Sequence, residues 1–272
     1  MPDRSLLLLP LALALMSPPA WCRADPGAPA PLEHLGSRGL LGGAAGGAWV
    51  PGARVARAAE RATYRLYSLA GPVGEAKATG LRGGDGPCSD LQLVALPDPT
   101  PASATVALAA PWNAVPRPVR AEPTSSKVYL EAARQLLEEK GTRGARPSIQ
   151  QLLRADLDGD GKDEVLMVAA NLGKADGGAT GRREHPFVAL RRLVGDAVRT
   201  DVIAGSFTHG GEDASAACEY VVAGILDANG DGRMELLLEE RCPAQDAFSV
   251  QLYELLPGGP RRVDAVQCGC GG

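Results

Sequence analysis

The chain has 272 residues, 22% of them charged, a formal net charge of -4 and 4% aromatics. That is long enough for one large domain or two small ones, with a core built mainly from Leu, Val, Ile and Ala. The 34 Gly and 22 Pro argue for many turns and against a helical bundle. No basic face is evident, which excludes nucleic acid as the expected partner.

Residues 1–24 read as a secretory signal peptide. Arg4 gives a positive start, and Leu6 to Met16 is an apolar run, too short for a bilayer span of roughly 20 residues. Cys22-Arg23-Ala24 places small residues at the -3 and -1 positions, so cleavage is expected after Ala24, with Cys22 the second choice. Trp21 and Pro19 disfavour a lipid-bearing Cys22. Cleavage removes Asp3, Arg4 and Arg23 and takes the net charge from -4 to -5. No later segment is apolar and long enough to span a membrane, so the expected product is secreted, or periplasmic and associated with the cell envelope.

Residues 25–47 (DPGAPAPLEHLGSRGLLGGAAGG) are low in complexity and poor in β-branched side chains, which predicts a disordered leader. A small β region is expected over 48–124. In it Thr63 to Leu69 alternates faces, Gly71-Pro72-Val73-Gly74 reads as a turn, and Leu91 to Leu96 and Ala104 to Ala109 are strand candidates. Pro-rich connectors occupy 97–103 and 111–124. One amphipathic helix follows: Ser125 or Ser126 caps it, Tyr129, Ala133, Leu136 and Leu137 share a face, and Gly141 ends it.

From Ile149 onward strands dominate, at 149–155, 164–171, 187–193, 198–207, 219–226, 235–241, 249–255 and 262–268. They form two groups of four within 125–272. Each group opens with a strand, an acidic loop and a second strand, and Asp227 follows Asp156 by 71 positions. The fold expected is mainly β: two four-stranded units, partial-propeller-like or β-sandwich-like, with one helix and the small N-terminal β region.

The loops read DLDGDGKDE from Asp156 and DANGDGRME from Asp227. Oxygen-bearing side chains recur at positions one, three, five and nine: Asp156, Asp158, Asp160 and Glu164, then Asp227, Asn229, Asp231 and Glu235. A tightly turning loop can aim alternate side chains at one centre, and calcium takes six to eight oxygens at roughly 2.3–2.6 Å. Gly161 or Gly232 permits the sharp turn that aims the next carbonyl, of Lys162 or Arg233, inward. An EF-hand needs Glu at position twelve and flanking helices. Here Met167 and Leu238 stand at that position, with β-type runs around them.

DxDGDGxxE and DxNGDGxxE, each followed by an apolar strand, resemble the loops of FG-GAP and VCBS-type repeats of integrin α-subunit propellers and exported bacterial proteins. The resemblance implies that the eight side chains are calcium ligands and that each loop joins two strands of a blade. Propellers typically have four to eight blades. With two units visible, a partial propeller, or a sheet assembly completed by the N-terminal β region, is expected.

Five cysteines remain after cleavage: Cys88, Cys218, Cys242, Cys268 and Cys270. Cys218 and Cys242 flank a hairpin centred near Gly230 and should face each other at its open end, within disulfide reach. Cys88 then pairs with Cys268 or Cys270; a thiol-redox or thiol-metal role for the three stays open. His34, His185 and His209 read as surface residues, His34 in the leader and the other two in Gly-rich connectors. No nucleophile–base–acid spacing, phosphate loop or dinucleotide fingerprint is present.

The function expected is therefore an exported, calcium-binding, non-catalytic β-repeat module that binds a protein, a glycan or an envelope component. An exported hydrolase with structural calcium is the alternative from another class.

Overall fold

The structure, a computed structural model, describes residues 29–36, 39–173, 183–207, 218–243 and 246–269. The signal segment, its cleavage site, His209 and Cys270 lie outside the described residues. Among the described residues no helix is long and apolar enough to cross a membrane.

The N-terminal region folds as a curved antiparallel sheet. Its strands are β1 (Ala30–His34), β2 (Gly39–Ala45), β3 (Ala48–Pro51), β4 (Thr63–Ser68), β5 (Gly71–Lys77), β6 (Gly80–Gly83), β7 (Gln92–Ala95) and β8 (Val106–Leu108). They run in the order β5-β4-β8-β1-β2-β7-β6, with β3 paired to β2. Helix α1 (Gly52–Ala59) and a 3-10 turn at Gly86–Cys88 complete it.

Two expectations are corrected here. The supposed leader contains β1 and β2, both buried, with Ala30, Leu32 and Leu41 in the core. Its small residues are a packing requirement rather than a sign of disorder. A Cβ on Gly43 would stand 2.5 Å from the Ala30 carbonyl, and one on Gly42 2.5 Å from that of Val50. The Gly71–Gly74 stretch is the start of β5, so the chain reverses earlier, at Leu69-Ala70.

The C-terminal half matches the predicted strand pattern. After the short β9 (Arg120–Ala121) and helix α2 (Lys127–Glu139) come β10 (Pro147–Ala155), β11 (Glu164–Leu172), β12 (Arg183–Val194) and β13 (Ala197–Gly205). They form a meander, with β9 added beside β10. The second meander is β14 (Glu219–Leu226), β15 (Glu235–Cys242), β16 (Ala247–Leu256) and β17 (Gly259–Gly269). His185, expected in a connector, lies within β12.

The layers stack α2, first meander, second meander, N-terminal sheet, α1. Val165, Met167 and Ala169 of β11 face Ala133, Leu136 and Leu137 of α2. Leu166 and Val168 point the other way, onto Ile225, Leu236 and Leu238 of the second meander. Leu237 faces Leu32, Leu41 and Leu108 of the N-terminal sheet, whose far side packs on Val55 and Ala59 of α1. The strands that leave the two loops, β11 and β15, are thus covered on both faces. This explains why EVLMVAA and ELLL are continuous apolar runs rather than alternating ones.

The pairing Glu219↔Arg241 through Val222↔Leu238 keeps the register expected from the cysteines, and a bulge at Ala223 then shifts it to Gly224↔Leu237. Cys218 and Cys242 are joined at the open end, their Cα atoms 4.1 Å apart. A second disulfide, Cys88–Cys268, ties the 3-10 turn to β17.

Candidate metal centre

Both acidic loops are hairpin connections closed by matching pairs, Ala155↔Glu164 and Leu226↔Glu235. Their hydrogen bonds to backbone amides correspond one for one, and the second loop adds a side-chain bond from Asn229 Nδ2 to Glu235 Oε1 at 3.5 Å. Asp156 Oδ1 accepts the Gly159 amide at 2.7 Å and Oδ2 accepts that of Gly161 at 3.1 Å. Asp227 does the same with Gly230 at 2.6 Å and Gly232 at 3.0 Å. Asp158 and Asn229 each accept the amide two residues on, at 3.1 and 2.9 Å. Asp160 and Asp231 accept the amides of Lys162 and Arg233, both at 2.8 Å. Glu164 and Glu235 reach back across the loop to the amides of Leu157 at 2.8 Å and Ala228 at 2.7 Å. The glycines share one conformation, with φ of 82° and 84° at Gly159 and Gly161, and 83° and 85° at Gly230 and Gly232.

Each carboxylate therefore has an oxygen fixed by a backbone amide; among the described residues the first loop brings three acidic side chains together, whereas Asp227, Asp231 and Glu235 of the second form no such trio. One carboxylate oxygen each from Asp156, Asp158 and Glu164 lies within 4.8 Å of the others. An ion bonded at roughly 2.3–2.6 Å can span that separation, so the donor set fits a hard divalent cation. Asp160 stands outside this trio and adds its charge beside it.

The electrostatics favour a cation. Burial pushes Glu164 up to about 7, with Asp158, Asp160 and Asp156 raising it further against the Leu157 hydrogen bond. Glu235, 2% exposed, is pushed up to about 8, by burial first and then by Asp231, Asp227 and Glu254. Asp227 is also raised, chiefly by burial. Without a counter-charge, these groups gain by holding protons.

The feature not anticipated from sequence is the clamp made by the Pro-rich connector over 111–124. Trp112 donates its indole N–H to the Asp227 carbonyl at 2.8 Å, and the Ala114 carbonyl accepts the Asp227 amide at 2.7 Å. The Trp112 ring covers Gly230 so closely that a Cβ there would meet it at 3.2 Å. Arg117 donates from Nε to the Asp156 carbonyl, and from Nη2 to Leu157 O at 3.1 Å and Gly232 O at 2.7 Å. The two loops are also joined directly by Met234 N–H to Leu157 O at 2.8 Å. A Trp and an Arg among prolines were the available signal.

No family model, curated protein or solved structure matches this chain.

Acidic groups in two surface clefts are engaged by neighbouring side chains. A cleft of about 460 Å³ beside the disulfides contains Glu240, but its carboxylate accepts from Tyr220, Ser249 and Gln251. A second, of about 610 Å³, runs from Trp49 past Asn229 and Asp231 to Glu254 and Arg261. There Glu254 is paired with Arg261, and Trp49 donates to Asp264 at 2.7 Å. His34 is not a surface residue: it is fully buried, with Nε2 2.8 Å from Glu239 Oε1. Burial would raise Glu239, but the hydrogen bond and charge of His34, then Arg241, outweigh it and hold the carboxyl below its ordinary value.

Proposed function

We propose that this chain is an exported, calcium-binding, non-catalytic β-repeat module of FG-GAP/VCBS type. The observation that carries the reading is the one-for-one correspondence of backbone hydrogen bonds in loops 71 residues apart. The shared oxygen positions and the shared geometry are what one ion-binding design used twice would give. Calcium suits the donor set because all side-chain donors are oxygens and calcium tolerates irregular coordination. Bound ions would neutralise the clustered carboxylates and fix the tips of two stacked sheets.

Two disulfides suit an oxidising environment, in line with the signal-like N-terminus and with a secreted or envelope location. They also occupy Cys88 and Cys268, which leaves the thiol-metal alternative without most of its ligands. Among the described residues the surface offers an edge strand. β13 closes one side of its sheet, with Val198 59% exposed and Leu193 and Val194 exposed beside it. That supports a binding role toward a protein, glycan or envelope component over hydrolysis.

Calcium titration by calorimetry tests the reading. The full chain should bind two ions with dissociation constants of roughly 0.1–1 mM, the loop with Asn229 more weakly. Asp160→Ala and Asp231→Ala should each remove one site. No heat and no thermal shift in the unaltered protein would end the proposal.

A further inference from the structure

We propose that Arg117 locks the two ion loops into one binding unit, so that filling either loop raises the affinity of the other. The inference rests on reading both loops as calcium sites and adds a coupling between them.

Arg117 belongs to neither repeat. It enters from the connector and holds three carbonyls, those of Asp156 and Leu157 in the first loop and Gly232 in the second. Two of these carbonyls sit in peptide groups whose N–H is held by a candidate ion ligand. The peptide joining Asp156 to Leu157 offers its oxygen to Arg117 and its N–H to Glu164 at 2.8 Å. The peptide joining Gly232 to Arg233 offers its oxygen to Arg117 and its N–H to Asp231 at 2.8 Å.

A peptide group is planar, so turning its N–H also turns its oxygen. A rigid path therefore runs from Glu164 through one peptide, the guanidinium and a second peptide to Asp231. The bond from Met234 N–H to Leu157 O runs alongside it. An ion that fixes Glu164 fixes the first peptide, and with it the face of Arg117 that orients the second. The ordering cost of the shared elements then falls on whichever ion binds first, which makes the coupling positive. By linkage it is reciprocal.

The guanidinium also lies 3.9 Å from the Asp156 carboxylate. Its charge acts against a cation in the first loop whether or not the second is filled. Charge and bridging can therefore be separated: Arg117→Lys keeps the charge and loses the fork, while Arg117→Gln loses both.

The experiment is calcium calorimetry on the full chain, with folding checked by circular dichroism. In the parent protein, Asp231→Ala should weaken the first loop about tenfold relative to its affinity when the second loop is filled. In the Arg117→Lys background the same substitution should change it less than about twofold. The parent titration alone provides a second reading that needs no Arg117 variant to fold: coupled filling gives a Hill coefficient above about 1. Two independent sites in the parent protein, or an undiminished Asp231→Ala effect in Arg117→Lys, would overturn the coupling and leave the calcium reading standing. Absence of any calcium heat would remove both.

Discussion

Replacing Leu238 with alanine should destabilise the protein by about 3 kcal/mol, within the roughly 2–5 kcal/mol usual for a buried leucine. Leu238 is completely buried and points from β15 into the layer between the two meanders, among Leu166, Val168, Val188 and Leu236. The surrounding side chains come from two sheets whose backbones are fixed by their ladders, so the space cannot close by a small shift. Urea unfolding monitored by circular dichroism would measure the loss. The deficit should persist in chelator, because it arises from packing and not from the loops. A loss below about 1 kcal/mol would mean that the two meanders are not stacked face to face.

Glu235→Gln should leave the metal-free fold intact while reducing calcium affinity at the second loop about 100-fold. Outer partners of a metal site already change affinity 10–100-fold, and in the proposed reading Glu235 is a direct ligand. The substitution keeps the oxygen that accepts the Ala228 amide and mimics the protonated acid, the form that burial favours when Glu235 is pushed up to about 8.

The pH dependence follows from that shift. A carboxyl whose folded pKa is raised contributes stability that is fully present below its unfolded value near 4.5 and is lost as pH rises through the folded value. Metal-free protein should therefore weaken steadily from about pH 5 to above pH 8, with Glu164 adding to the loss as pH passes through about 7. Glu235→Gln removes one share of this loss. Thermal melts in chelator at pH 5.5 and 8.5 should show a smaller drop for the variant, and added calcium should rescue the parent more. Equal slopes for the two proteins would contradict the assigned environment of Glu235.

What the sequence conveyed depended on how local the cause was. The paired loops were legible because their oxygen positions and glycines are fixed within nine residues, and the strands around them because the apolar runs end where the acids begin. The Cys218–Cys242 pairing followed from hairpin register and survived the bulge at Ala223, which lies on the loop side of the cysteines.

Residues 30–45 were misread because GLLGGAA has little intrinsic strand preference. Its glycines are imposed by β1 and β3 pressing on either side, a tertiary cause invisible locally. The same holds for His34, whose buried partner Glu239 is 205 residues away. The clamp of Trp112, Ala114 and Arg117 was hidden for a related reason: proline content marks a connector, and only the fold reveals which loops it crosses.

Anomalous diffraction from crystals soaked in a lanthanide, a calcium substitute, tests the central claim most directly. Two principal peaks are expected, one among Asp156, Asp158 and Glu164 and one among Asp227, Asn229 and Glu235. Peaks confined to other surface carboxylates, with both hairpin tips empty, would contradict it.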